Sequence, residues 1–143
     1  MRKWILVIAA YVQCASASAA EWEHIATIDS GGGTVSIDVT SIASGDSGYK
    51  KAWFKWIYAK PRPVGIAMDG NKAPMFQESL TLDLFNCRER KYGEMQAIYR
   101  DPNGEVVGSF SKQHAYQANW SEVAPETIGE MMLERVCRTW LPK

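Results

Sequence analysis

Tyr49-Lys50-Lys51-Ala52-Trp53-Phe54-Lys55-Trp56-Ile57-Tyr58-Ala59 decides the fold. At a period of two, Ala52, Phe54, Trp56 and Tyr58 share one face, and Trp53, Lys55 and Ile57 share the other. Aromatic side chains at this density favour a pleated strand over a helix.

The same alternation continues on either side. In Met75–Cys87, Leu80, Leu82 and Leu84 face one way and Thr81, Asp83 and Phe85 the other. Glu94–Arg100 and Glu105–Ser111 flank Asp101-Pro102-Asn103-Gly104, and Asn-Gly supplies the positive φ that a hairpin needs. Upstream, Trp22–Ile28 reads as a strand with Trp22, His24, Ala26 and Ile28 on one side. Ser30–Gly33 is a turn and Thr34–Asp38 a second strand. Ser41–Gly48 is small and polar, and Lys60–Pro74 holds Pro61, Pro63, Gly65, Gly70 and Pro74. Both read as loops.

The chain end changes period. Pro125 suits a first helical turn, and Glu126 and Glu130 place negative charge near the positive end of the helix dipole. Ile128, Met132, Val136 and Trp140 then form a stripe through a helix from about Glu126 to Trp140. The fold class is therefore α+β, an antiparallel sheet of about six strands with one C-terminal helix packed on it. The expected core is Phe54, Trp56, Leu80, Leu82, Leu84, Ile128, Met132 and Val136.

The first residues read as an address. Arg2 and Lys3 precede the apolar run Trp4–Val12 and the small residues Ala15 to Ala20, the pattern of a secretory signal peptide. The run is too short to span a bilayer ~30 Å thick, so the mature chain carries no transmembrane span. Cleavage after Ala19 gives a signal peptide over 1–19 and a domain over 20–143, with Ala17 and Ala20 as competing sites. Lipidation of Cys14 would need a small residue before it, and Gln13 is not small.

The whole chain has 143 residues, 16 basic and 16 acidic; losing Arg2 and Lys3 brings the net charge to −2. Hydrophobic content of 46% and charged content of 22% exclude disorder and a polytopic membrane protein. The lack of basic excess argues against nucleic acid as a partner. Without Cys14, two cysteines remain, Cys87 and Cys137. In an exported chain an even pair is most simply a disulfide, with two buried free thiols as the other reading. Neither Cys87 nor the two histidines, His24 and His114, has metal-ligand spacing, so no metal and no cofactor is expected.

No catalytic residue emerges. Gly45-Asp46-Ser47-Gly48, with His24 upstream, copies the surroundings of a nucleophilic serine. A domain this small cannot hold the two barrels that build such a site, and these residues are also ordinary turn chemistry. Asn119-Trp120-Ser121 is a glycosylation sequon by pattern, and Gly31-Gly32-Gly33 lacks the Lys-Ser/Thr of a phosphate loop. Arg88, Arg90 and Lys91, with Lys50, Lys51, Lys55, Lys60 and Arg62, could form a basic aromatic surface for an acidic ligand or a matrix protein. The favoured reading is a solvated strand face whose charges discourage edge pairing.

The mature chain resembles the surface-adhesin protein E family of Gram-negative bacteria. The residues that carry the resemblance are Trp22, Asp38 before Ser41-Ile42, Trp53 with Lys55, and Asn86-Cys87. They continue with Tyr99, Gly104-Glu105-Val106-Val107, Trp120 and Pro125-Glu126-Thr127, which leads into a helix ending at Cys137. The resemblance implies a small antiparallel sheet on a C-terminal helix, a Cys87–Cys137 bond, and export to the periplasm or the outer cell surface. It further implies adhesion to host extracellular-matrix or serum proteins. A protein partner, either a host matrix protein or an envelope protein, is expected, and exposed strand edges leave a homodimer open. The alternative is a periplasmic protein that binds a small ligand or inhibits an enzyme. The shared positions carry no ligand-binding residue over to this chain.

Overall fold

The computed structural model describes residues 19–29, 32–45, 48–65 and 72–138. Residues 1–18 of the expected signal sequence with Cys14, Ser30-Gly31 of the first turn, Asp46-Ser47, residues 66–71 of the Lys60–Pro74 segment, and Trp140 lie outside the described residues.

Eight strands and one helix follow in order: β1 (Trp22–Ile28), β2 (Gly33–Asp38), β3 (Ala43–Ser44), β4 (Lys50–Pro63), β5 (Met75–Asn86), β6 (Lys91–Arg100), β7 (Val106–Ser111), β8 (Ser121–Glu122) and α1 (Ile128–Cys137). Six of the strands form an antiparallel path β1-β2-β4-β5-β6-β7, with β3 beside β4 and β8 beside β6. The expected class, an antiparallel sheet with a C-terminal helix, is the one observed.

One face of the sheet carries the main core. Val35, Ile37, Ala52, Phe54 and Phe85 pack against Met132, Leu133, Val136 and Cys137 of α1. The register explains the grouping: Val35 pairs with Trp56 and Ile37 with Phe54, while Ala52 pairs with Asp83 and Phe54 with Thr81. Directly paired residues share a face. The Ala52-Phe54-Trp56-Tyr58 side of β4 is therefore the helix side, as its alternation predicts.

The leucines of β5 belong to the opposite face. Leu80, Leu82 and Leu84 pair with Lys55, Trp53 and Lys51, all pointing away from α1. Leu84 is buried in a small second cluster with Met95 and Ala118, while Leu80 and Leu82 are only half-buried. The expected single core is thus corrected: the leucine face lies on the far side, and Phe85 takes its place under the helix.

A bulge corrects β1 as well. The register shifts between His24 and Ala26, so Trp22 and His24 pair with Asp38 and Ser36, whereas Ala26 and Ile28 pair with Val35 and Gly33. The extra residue, Ile25, turns the second half of the strand over. Ala26 and Ile28 then face the helix and Trp22 does not; Lys55 Nζ lies 4.2 Å from the centre of the Trp22 ring on the far face.

Two expected loops hold structure. Ser41–Gly48 contains the end of a 3-10 turn (Val39–Ser41) and β3, which pairs with Lys50 and Lys51. β4 runs past Ala59 through both prolines to Pro63, with a register break between Ile57 and Arg62. Gln77 Nε2 donates to Tyr58 O at 3.0 Å within that break. The break admits Pro61 because a bulge frees backbone positions from the ladder.

The turn from β6 to β7 forms where expected. Gly104 has φ +85, Asp101 N donates to Glu105 O at 2.9 Å, and Asp101 Oδ1 accepts from the Asn103 and Glu105 amides at 2.9 Å each. At the helix start, Pro125 and Glu126 lie outside α1. Glu126 has φ +58, and Thr127 is the N-cap, its side chain accepting from Glu130 N at 3.3 Å. Cys87 and Cys137 are bonded, with Cα atoms 5.7 Å apart, so the end of β5 is joined to the end of α1.

Candidate functional site

The sequence motifs first noted are mostly architectural. Asp38 Oδ1 accepts from Glu21 N (3.1 Å), Thr40 N (3.0 Å) and Thr40 Oγ1 (2.6 Å). Ser41 Oγ donates to Asp38 O at 2.7 Å and accepts from Trp53 N at 2.8 Å. Asp38, Ser41 and Trp53 thus tie the end of β2 to the middle of β4. Asn86 Oδ1 accepts from Glu89 N and shapes the turn at Cys87. Trp120 Nε1 donates to Ala115 O at 3.2 Å, and its ring meets Tyr49 at 4.9 Å.

The basic residues do not gather into one patch. Arg90 pairs with Glu130 on α1 and Lys91 with Glu89, while Arg62 lies over the Tyr58 ring on the helix side. Lys51 and Lys55 point to the far face. His24 is exposed on the edge strand with Nε2 3.5 Å from Thr27 Oγ1, and His114 stacks on Tyr116 beside the far face, so the two histidines do not meet.

Two of the concavities among the described residues are candidate sites. The larger, about 460 Å³, is a groove on the far face between Tyr49, Lys51, Leu82 and Gln96 and the segment carrying His114 and Tyr116. That segment crosses close over β6, where a Cβ on Gly93 would stand 2.8 Å from that of Ala118.

The smaller cavity, about 300 Å³, lies on the helix side, where α1 leaves the sheet open. Its walls are aromatic: Trp56 and Tyr58 from β4, Phe76 from β5, and Tyr92 and Tyr99 from β6. Phe76 stands between Tyr58 (5.5 Å, edge-on) and Tyr99 (4.8 Å). Ser79, Thr81, Asp83 and Glu94 supply the polar lining. Asp83 and Glu94 are direct cross-strand partners in the β5–β6 ladder. The sequence reading found no pair of carboxylates at a telling spacing; the ladder makes one.

This pair is electrostatically unusual. Asp83 is 3% exposed, and burial, then the neighbouring Glu94 charge, push its carboxyl up to about 8 against a lowering hydrogen bond from Thr81. Burial also raises Glu94, partly offset by Lys112, whose Nζ reaches the Glu94 backbone carbonyl at 3.1 Å. Burial first, and the same carboxylates second, raise the Tyr92 hydroxyl; Tyr99 is raised by burial, then by Glu94 and Tyr58. Shifted groups converging in a concave, aromatic-lined site make this cavity the candidate functional site. Its lining suits binding: two carboxyl groups beside five aromatic side chains. Among the described residues, no helix is long and apolar enough to cross a membrane.

Comparisons with known proteins agree with this architecture. No curated protein matches the chain in sequence. A crystal structure of Haemophilus influenzae protein E matches with a TM-score of 0.52 at 12% identity, covering 85% of this chain and 98% of that one, a likeness of fold. The family model for surface-adhesin protein E matches residues 22–138, spanning β1 to the last turn of α1. The chain belongs to the surface-adhesin protein E family.

Proposed function

We propose that this is an exported, non-catalytic protein of a Gram-negative envelope that adheres to host extracellular-matrix or serum proteins at the cell surface. In this reading residues 1–19 are a signal peptide and 20–143 the working domain. The observation that carries it is the family match over nearly the whole of that domain. The structure is compatible with a binding role. Its linked motifs, Asp38–Ser41–Trp53 and Cys87–Cys137, hold the scaffold, which leaves strand faces and cavities to vary with the partner.

The test is solid-phase binding of the purified 20–143 domain to immobilised matrix and serum proteins. Saturable binding to at least one of them, unaffected by an unrelated exported protein, supports adhesion. Failure across the panel contradicts it. A second reading, a periplasmic protein for a small ligand, is favoured by one observation, the aromatic cavity around Asp83 and Glu94. A stable complex with an envelope component instead of a host protein would support that reading.

A further inference from the structure

The cavity beside α1 holds two carboxyl groups that no protein cation answers among the described residues. Among the described residues, neither Asp83 nor Glu94 takes part in an ion pair. The hydrogen bond that Asp83 receives comes from Thr81 Oγ1 to Oδ2 at 3.2 Å, and among the described residues Oδ1 has no donor. Yet no fully buried side-chain oxygen or nitrogen among the described residues lacks a partner. The unpaired Oδ1 therefore keeps an opening, and the space it meets is the cavity that Asp83 lines.

The surroundings specify what could answer that oxygen. A metal ion would find one buried carboxylate and one half-buried one, and among the described residues no group of three or more ligating side chains is arranged to hold one. The walls are aromatic instead. Trp56 and Tyr99 carry π-electron density, which attracts an organic cation and tolerates the methylene stem behind it, while the Tyr58 ring is already met by Arg62. An acidic floor under aromatic walls matches an ammonium or guanidinium group on an apolar chain, and it discriminates against anions and neutral alcohols. Two protein cations lie nearby and both are engaged: Lys112 Nζ donates to the Glu94 backbone carbonyl, and the Arg62 guanidinium lies 4.6 Å from the centre of the Tyr58 ring.

We propose that this cavity is a binding site for a cationic group on an apolar stem, with Glu94 as counter-charge, Asp83 joining it by releasing its proton to solvent when the cation enters, and Trp56 and Tyr99 as the enclosing rings. The group is either a lysine or arginine side chain of a protein partner or a free alkylamine. The chemistry is the same for both, and the site stands whether or not the protein proves to be an adhesin.

The experiment is a two-dimensional amide NMR titration of the purified 20–143 domain with n-butylammonium, n-butanol and butyrate. A parallel titration uses the capped peptide acetyl-Gly-Gly-Lys-Gly-Gly-amide. The expected result is saturable shifts from butylammonium centred on Trp56, Thr81, Asp83, Glu94 and Tyr99, with none from butanol or butyrate. The double variant Asp83→Asn with Glu94→Gln should weaken the binding at least tenfold. Both changes are near-isosteric, and the half-exposed Glu94→Gln alone, expected to weaken it severalfold, serves if the double variant does not fold. Binding by peptide and amine alike assigns the site to a partner's side chain, and binding by the amine alone assigns it to a small molecule. No saturable shift from either, or equal shifts from butanol, would overturn the proposal without touching the adhesion assay.

Discussion

Asp83 of β5 stands directly opposite Glu94 of β6 on the sheet face that α1 only partly covers. Like charges in that position repel and are ordinarily avoided. Here the conflict is resolved by protonation, because burial holds the Asp83 carboxyl neutral to about pH 8. A destabilising pair kept within an aromatic cavity is the kind of local conflict that folded proteins tolerate at functional positions.

Stability should therefore depend on pH through Asp83. Its folded-state value of about 8 lies above the unfolded value of ~3.9, so the folded chain holds the extra proton between them. Stability from this group is complete below pH ~4 and is lost as pH rises towards 8. The groups that face it are Thr81 on its own strand, Glu94 and Tyr92 on β6, and Lys112 acting on Glu94. Asp83→Asn removes this ionisation and should be more stable than the parent at pH 8, by on the order of 5 kcal/mol. The gap should close below pH ~4. Thermal unfolding across that range checks it, and parallel curves would refute it.

Cys87→Ser or Cys137→Ser should lower the thermal midpoint sharply. The bond joins residues 50 apart in sequence, and chain entropy assigns a loop of that length ~4 kcal/mol. For a domain of this size the midpoint should drop by more than ~10 °C in oxidising buffer. Reductant should shift the parent to meet the variants. An unchanged midpoint would show that helix packing alone holds α1 in place.

Ser41→Ala tests the tie between β2 and β4. The hydroxyl both donates to Asp38 O and accepts from Trp53 N, so its loss leaves a half-buried amide without its acceptor. The expected cost is ~1–2 kcal/mol. Ser41→Thr retains the hydroxyl and should recover most of it. Urea unfolding of the two variants beside the parent separates these outcomes, and equal loss in both would point to crowding rather than hydrogen bonding.

What the sequence disclosed follows physical lines. β4 was legible because its aromatics alternate without interruption, and α1 because Ile128, Met132 and Val136 recur every fourth residue. β1 was half legible, since nothing in Trp22–Ile28 marks Ile25 as the bulged residue that turns the strand over. β5 misled because hydropathy favours Leu80, Leu82 and Leu84 as the core face. Cross-strand register instead places Thr81, Asp83 and Phe85 on the side of Phe54 and the helix. The site was hidden for a related reason. Taking β6 to begin at Glu94 omits Lys91, Tyr92 and Gly93, whose pairing with Asn86, Phe85 and Leu84 brings Glu94 opposite Asp83. A lone Asp inside an apolar strand was the available signal, and the tight Cys87–Arg90 turn, with Arg90 at φ +52, was the missing link.

The central claim is that this domain works on the outside of the cell. Intact cells expressing the full chain should be treated with a protease, with a periplasmic protein followed as an internal marker. The account predicts that this protein is degraded while the marker survives. Survival of both until the outer membrane is breached would contradict surface adhesion and place the domain, with its acidic aromatic cavity, in the periplasm.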